Sequence, residues 1–204
     1  MAAPEFIHRF VPAKGGSARV LLLLHGTGGD ESDLLPLGAE LDPNAALLSP
    51  RGRVSENGMP RFFRRFAEGV FDEEDVIRRA NELADFISAA AEKYNFAHAN
   101  VTAVGYSNGA NIAAAMMLVR PNATARAILL RAMVPLAQPP VVDLSGKRVL
   151  ISAGATDPII ASANAERLAS LLRERGAATE LIVQAAGHGL VQQDLVAARL
   201  FLGS

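Results

Sequence analysis

Short apolar runs recur along the chain at 20–24, 45–48, 101–104, 127–134, 148–152 and 180–184. Each is rich in Val, Ile, Leu or Ala and stops close to a Gly, Pro or Asp. Runs of this length without strict alternation predict strands buried on both faces of a mainly parallel sheet. The stretch 5–11, EFIHRFV, mixes polar and apolar positions and predicts a more exposed edge strand.

Helical spacing fills the intervals. In EEDVIRRANELADFISAAAEKY, Val76, Ile77, Ala80, Leu83, Ala84, Ile87 and Ala91 share one face. Acidic residues 72–75 stand at its start, where the helix dipole favours negative charge. NGANIAAAMMLVR stops before Pro121, and ASANAERLASLLRERG ends at Gly176. LVQQDLVAARLFL supplies a further helix. Strands alternating with helices imply an α/β architecture with right-handed crossovers. No repeat, low-complexity tract or linker interrupts residues 1–204, so a single domain is expected. The segment 51–70 is the longest without clear periodicity, and long loops in compact domains are often functional.

Composition narrows the chemistry. A chain of 204 residues, half of them hydrophobic, can bury a sizeable core. A formal net charge of -1 gives no electrostatic reason to expect nucleic acid or an acidic membrane as partner. The absence of cysteine excludes disulfides, thiolate metal sites and cysteine nucleophiles, and it fits a reducing compartment. The N-terminal stretch has no basic segment followed by an apolar one, and no apolar run could span a bilayer. A cytoplasmic location is therefore expected.

Gly105-Tyr106-Ser107-Asn108-Gly109 follows the apolar run VTAV and precedes the alanine-rich ANIAAAMM. G-x-S-x-G between a strand and a helix is the pattern of a nucleophile elbow, whose serine sits on a tight, strained turn. A turn or N-cap serine is the plainer alternative, so the partners decide. A serine nucleophile needs a general base. His8 lies on the edge strand, where it is a surface or packing residue. His98 precedes the nucleophile strand and so belongs to the opposite end of the sheet. His25 precedes the serine in the chain and is expected to order its loop by hydrogen bonding. His188, in QAAGHGLV, follows the final predicted strand and fits the order serine, acid, histidine. Its flanking glycines are expected to leave its loop free to present the ring. Asp157 ends the run RVLISAGATD between Ser107 and His188, with Pro158 opening a helix after it. A helix N-cap is its plainer role. Asp143 falls at the wrong sheet end, and Asp194, inside the C-terminal helical pattern, reads as solvated surface.

An acyl transfer site also needs backbone donors for an oxyanion. The N–H of Asn108 follows the serine directly. The second is expected from the glycine-rich loop HGTGGDE, at Thr27, with Gly28 as the alternative. This loop lacks the lysine and Ser/Thr of a P-loop and the three-glycine spacing of a dinucleotide site.

With LLLHGTGGDE, SPRG, GYSNGANIA, LRAMVPL, AGATDPII and AGHGL in this order, the chain resembles the carboxylesterase/phospholipase branch of the α/β-hydrolase superfamily, which includes the acyl-protein thioesterases. The resemblance runs from about residue 20 to the end and is nearer to small bacterial carboxylesterases. It implies an α/β-hydrolase fold without a large cap domain, the same triad Ser107, Asp157 and His188, and oxyanion donors at Thr27 and Asn108. It implies a small-molecule ester as substrate and no metal or organic cofactor, and it allows a homodimer. It also suggests that 61–69 and 133–136 border the acyl pocket. Phe62, Phe63 and Phe66 then either wall that pocket or pack the loop on the core. Arg61, Arg64 and Arg65 either meet an anionic group or pair with acids, and Met133 lines the pocket or packs. Asn108, Gly109 and Ala110 stand where acyl-protein thioesterases carry Gln-Gly-Gly. A thioesterase or lysophospholipase and a non-catalytic ligand binder are the competing readings.

Overall fold

The structure, a computed structural model, describes residues 5–203. The chain begins with β1 (His8–Val11), β2 (Val20–Leu24), α1 (Leu35–Leu41) and β3 (Ala46–Pro50). Two small hairpins follow, β4 (Val54–Glu56) with β5 (Met59–Arg61), then β6 (Arg65–Ala67) with β7 (Val70–Phe71). After α2 (Glu73–Tyr94) come β8 (Val101–Tyr106), α3 (Asn108–Val119), β9 (Arg126–Leu130) and β10 (Arg148–Gly154). The chain continues through α4 (Ser162–Glu174), β11 (Ala178–Gln184) and α5 (Gln192–Gly203).

Seven strands form one sheet in the order β1-β3-β2-β8-β9-β10-β11. Only β1 runs antiparallel, on β3; the other pairs are parallel. The expected edge strand thus forms, but shorter. The apolar runs are continuous because both sheet faces are covered. Val20, Leu22 and Leu24 enter a core shared with α2, α3 and α4, whereas Leu21 and Leu23 enter one shared with α1 and α5. Helix α3 is buried nearly all round, and its small residues let it lie between the sheet and α2. Helix α2 has the amphipathic face expected, capped by Asp72 at its start and by left-handed Asn95 at its end.

Three local readings change. The strand expected over 127–134 stops at Leu130, because Arg131 turns left-handed with φ 57° and its N–H donates to Ser152 O at 2.8 Å. The helix expected to open at Pro158 starts at Ser162. Asp157 instead accepts the N–H groups of Ile159 and Ile160 at 2.8 and 3.0 Å, closing a turn. The segment 51–70, with Phe71 ending β7, forms the two hairpins, the first turned by Asn57-Gly58 with φ of 53° and 81°. No large cap is inserted over the sheet among the described residues. None of their helices is long and apolar enough to cross a membrane.

Candidate active site

Parallel register brings the carboxyl ends of the strands together. Leu24 pairs with Gly105, Gly105 with Leu129, and Leu130 with Ser152. The segments leaving β2, β8, β9, β10 and β11 therefore emerge at one edge. Thr27, Ser107, Asp157 and His188 lie on four of them, and Met133 follows the fifth.

Ser107 takes φ 52° and ψ -115°, outside the regions open to an ordinary residue. Such a conformation costs about 1–3 kcal/mol and must be held by its surroundings. Ser107 N–H donates to Leu130 O at 2.8 Å, and Ser107 O accepts from Asn111 at 3.0 Å. The glycines around it serve two separate contacts. A Cβ on Gly105 would lie 2.5 Å from Gly109 O, where strand and helix fold back on each other. A Cβ on Gly109 would lie 2.6 Å from His25 O and closer still to Leu24 O, so this glycine seats α3 against the end of β2.

His188 Nε2 lies 2.9 Å from Ser107 Oγ, and its Nδ1 lies 2.8 Å from Asp157 Oδ2. A carboxylate on Nδ1 fixes the tautomer that leaves Nε2 as acceptor for the hydroxyl. Burial pushes the Asp157 carboxyl upward, but its bonds to His188 and to the Ile159 and Ile160 amides outweigh this and hold it below its ordinary value. It stays anionic across the neutral range. The other histidines lie where the sequence reading put them. His98 forms a single 3-10 turn before β8, and His8 bonds Tyr94 Oη at 2.8 Å. Buried His25 spans two loops, with Nδ1 at 2.6 Å from Gly26 O and Nε2 accepting from Gly52 N–H at 2.9 Å.

Thr27 and Asn108 line one cavity with Ser107 and His188, of about 250 Å³. Gly28 N–H is engaged by Pro60 O at 3.0 Å, while Thr27 N–H has no carbonyl partner among the described residues. Asn108, at the first position of α3, has no intrahelical acceptor for its N–H. Its side-chain Oδ1 accepts Phe62 N–H at 2.8 Å, tying the hairpin segment to the start of α3.

The expected aromatic wall is corrected. Phe62 and Phe63 are buried in the core beneath the hairpins, and Phe66 is exposed on the outer surface; none lines the cavity. Two consecutive residues after β5 both turn inward because Phe62 packs on His25 and Phe63 on Phe71. Phe71 supplies the aromatic surface instead. Arg61 and Met133 do line the cavity. Arg61 nevertheless spends its guanidinium on Thr27 Oγ1 at 2.6 Å, Glu56 at 3.0 Å and Phe63 O at 3.3 Å. Burial, then Arg65, lowers its basicity, yet a guanidinium stays charged. Arg64 pairs with Asp72, and Arg65 with Glu56 and Glu68.

Asn111 escaped the sequence reading. It lines the cavity and accepts Met133 N–H at 2.9 Å, so it holds the segment after β9. Asp194 is not solvated surface. It is 1% exposed and pairs with Arg131. A signal was present: Asp194, Ala198, Phe201 and Leu202 recur at helical spacing on one face, so the acid shares the buried stripe. Neither glycine beside His188 has a positive φ, and neither would bring a Cβ nearer than 3.8 Å to another group. The loop is held by its partners rather than left free.

A family model for phospholipase/carboxylesterase proteins matches residues 7–204. The chain belongs to the phospholipase/carboxylesterase family. Within this family of esterase-type hydrolases, it is 50% identical over 186 residues to MhqD of Bacillus subtilis (strain 168), covering 91% of this chain and 93% of that protein. The Bacillus cereus carboxylesterase is 47% identical, with a TM-score of 0.94 over 97% of this chain and 94% of that one. The carboxylesterase of Mesorhizobium loti is 34% identical, with a TM-score of 0.93 over the same shares. The matched residues 7–204 include all seven strands of the central sheet.

Proposed function

We propose that the protein hydrolyses carboxylic esters through an acyl-enzyme on Ser107. The observation that carries this reading is the unbroken chain from Ser107 Oγ through His188 to Asp157, with bonds of 2.9 and 2.8 Å. His188 takes the hydroxyl proton as Oγ attacks the ester carbonyl. The N–H groups of Thr27 and Asn108 hold the developing oxyanion. His188 then protonates the departing alcohol, and the C–O bond breaks. Water attacks the acyl-enzyme by the same route, returning the acid and Ser107. Asp157 keeps the imidazole in the working tautomer and stabilises its cation.

The cavity of about 250 Å³ favours a short acyl or small aromatic group. Ligand clefts usually reach about 300–1,000 Å³, so long chains would have to extend into solvent. Phe71 and Met133 give it apolar surface, while Arg61, Arg65 and Glu68 give one side polar character. A purified sample should hydrolyse short-chain p-nitrophenyl esters, and Ser107→Ala should reduce kcat by roughly 10⁶-fold while remaining folded. A folded Ser107→Ala protein with wild-type turnover would overturn the assignment.

A further inference from the structure

The loop that carries His188 is gripped along three successive carbonyls. Arg131 Nε donates to Gly187 O at 3.0 Å. Tyr106 Oη donates to His188 O at 3.1 Å. Arg131 Nη2 donates to Gly189 O at 2.9 Å. Both donors come from the ends of adjacent parallel strands, Tyr106 from β8 and Arg131 from just past β9. Tyr106 is also the residue directly before Ser107.

Arg131 is itself fixed from the other side. Its guanidinium forms a two-point pair with Asp194, Nη1 to Oδ1 at 3.0 Å and Nη2 to Oδ2 at 2.9 Å. Both side chains are fully buried. Ser152 Oγ donates to Asp194 Oδ1 at 2.5 Å, and Val191 N–H donates to Asp194 Oδ2 at 2.8 Å. Arg131 Nη1 also reaches Ser152 O at 3.3 Å. The planar fork, with five N–H donors, meets two carbonyls and both oxygens of a carboxylate at once, four acceptors where an ammonium has only three donors. The left-handed φ of 57° at Arg131 points the side chain into this arrangement instead of continuing the strand.

We propose that Arg131, locked by Asp194, is a positioning residue that sets the His188 ring between Ser107 and Asp157. This rests on the reading of His188 as general base, and it adds how the base is aimed. The stretches after β8, β9 and β11 become one rigid unit, with the nucleophile and its base referenced to the same two strands. A misplacement of about 1 Å at such a base can cost roughly 10²-fold in rate.

The test uses two variants and two readouts. Arg131→Met/Asp194→Asn removes both buried charges together, which avoids stranding either one. Arg131→Lys keeps a charge beside Asp194 but loses the fork. The first readout is the kcat and KM of p-nitrophenyl ester hydrolysis. The second is the proton resonance of the His188 Nδ1–H bound to Asp157, which does not depend on turnover. In both variants kcat should fall about 10–100-fold with KM within about threefold. The His188 resonance should broaden or shift in the folded protein. A lowered melting temperature with unchanged kcat and an unchanged His188 resonance in either folded variant would overturn the proposal. An altered resonance in a protein whose Ser107→Ala form stays active would leave the clamp standing and remove the acyl-enzyme reading instead.

Discussion

Gly109→Ala separates positioning from stability. The added Cβ would sit 2.6 Å from His25 O, with Leu24 O nearer still. Ordinary contact distances are about 3.5–4.0 Å, so the first turn of α3 must retreat from β2 by about 1.5–2 Å. Both obstructing atoms are backbone oxygens at the end of a central strand and cannot rotate away. The energetic cost of such overpacking is about 1–3 kcal/mol. Against it, alanine gains about 1 kcal/mol over glycine within a helix. The net destabilisation is therefore about 0–2 kcal/mol, or a loss of up to about 8 °C in melting temperature for a chain of this size. The same retreat carries Asn108 N–H away from Thr27 N–H, which follows β2. Loss of one oxyanion donor costs roughly 10²–10³ in kcat. Gly109→Ala should thus unfold only slightly earlier than the wild type while losing at least about 10²-fold in ester hydrolysis. Gly189→Ala is the matched control, since nothing lies within 4 Å of its Cβ position. Its kcat and melting temperature should both match the wild type. A Gly109→Ala enzyme with kcat within about threefold of wild type would refute the link between this close approach and the oxyanion donors.

Asp157→Asn preserves shape but lets His188 adopt the wrong tautomer, so kcat should drop about 10⁴-fold with little change in the thermal melt. Burial lowers the basicity of His25 more than Gly26 O and the nearby Asp33, Asp30 and Glu31 raise it. The unfolded chain therefore binds a proton here at higher pH than the folded one. The stability that neutral His25 contributes is complete above about pH 6.5 and is lost as pH falls through its folded value. Thermal melts from neutral to mildly acidic pH should show a decline that His25→Gln flattens. Asp75 is buried, yet Arg78, the Arg64 amide and Arg79 together hold its carboxyl below its ordinary value despite that burial. Asp75→Asn should cost about 1–3 kcal/mol in urea unfolding at neutral pH. That difference should shrink as acid protonates the wild-type carboxyl.

The meeting of Ser107, Asp157 and His188 could be read from the chain because its constraint is topological. Parallel strands all finish at one edge, so a Ser, Asp and His each placed after an apolar run must meet there. Gly105 and Gly109 were legible as part of the G-x-S-x-G pattern, but that Gly109 faces the end of β2 shows only in the fold. Helix α1 was missed. It spans only seven residues, between a glycine-rich loop and Pro43. The hairpin strands of 51–70 have two or three residues each, too few to show a period. Phe62 and Phe63 illustrate the limit for pocket residues. Apolar character marks burial, but does not say whether a substrate or the protein covers the ring. Arg131 and Asp194 were hidden differently. Each is a charge within an apolar pattern, and only the fold brings together positions 63 residues apart in the chain.

The buried Arg131–Asp194 pair also bears on synthesis. Ribosomes deliver the chain from its N-terminus, so β8, β9 and Arg131 emerge well before α5. Ser152, the 187–189 loop and α5 are what cover Arg131, so its cation stays in water until they arrive, and burying it without Asp194 would cost about 3–5 kcal/mol. That is a substantial fraction of the roughly 5–15 kcal/mol by which folded proteins are stable. The end of the sheet that carries Arg131 should therefore close only together with α5. The pair thereby couples the closing of this sheet end to the docking of α5.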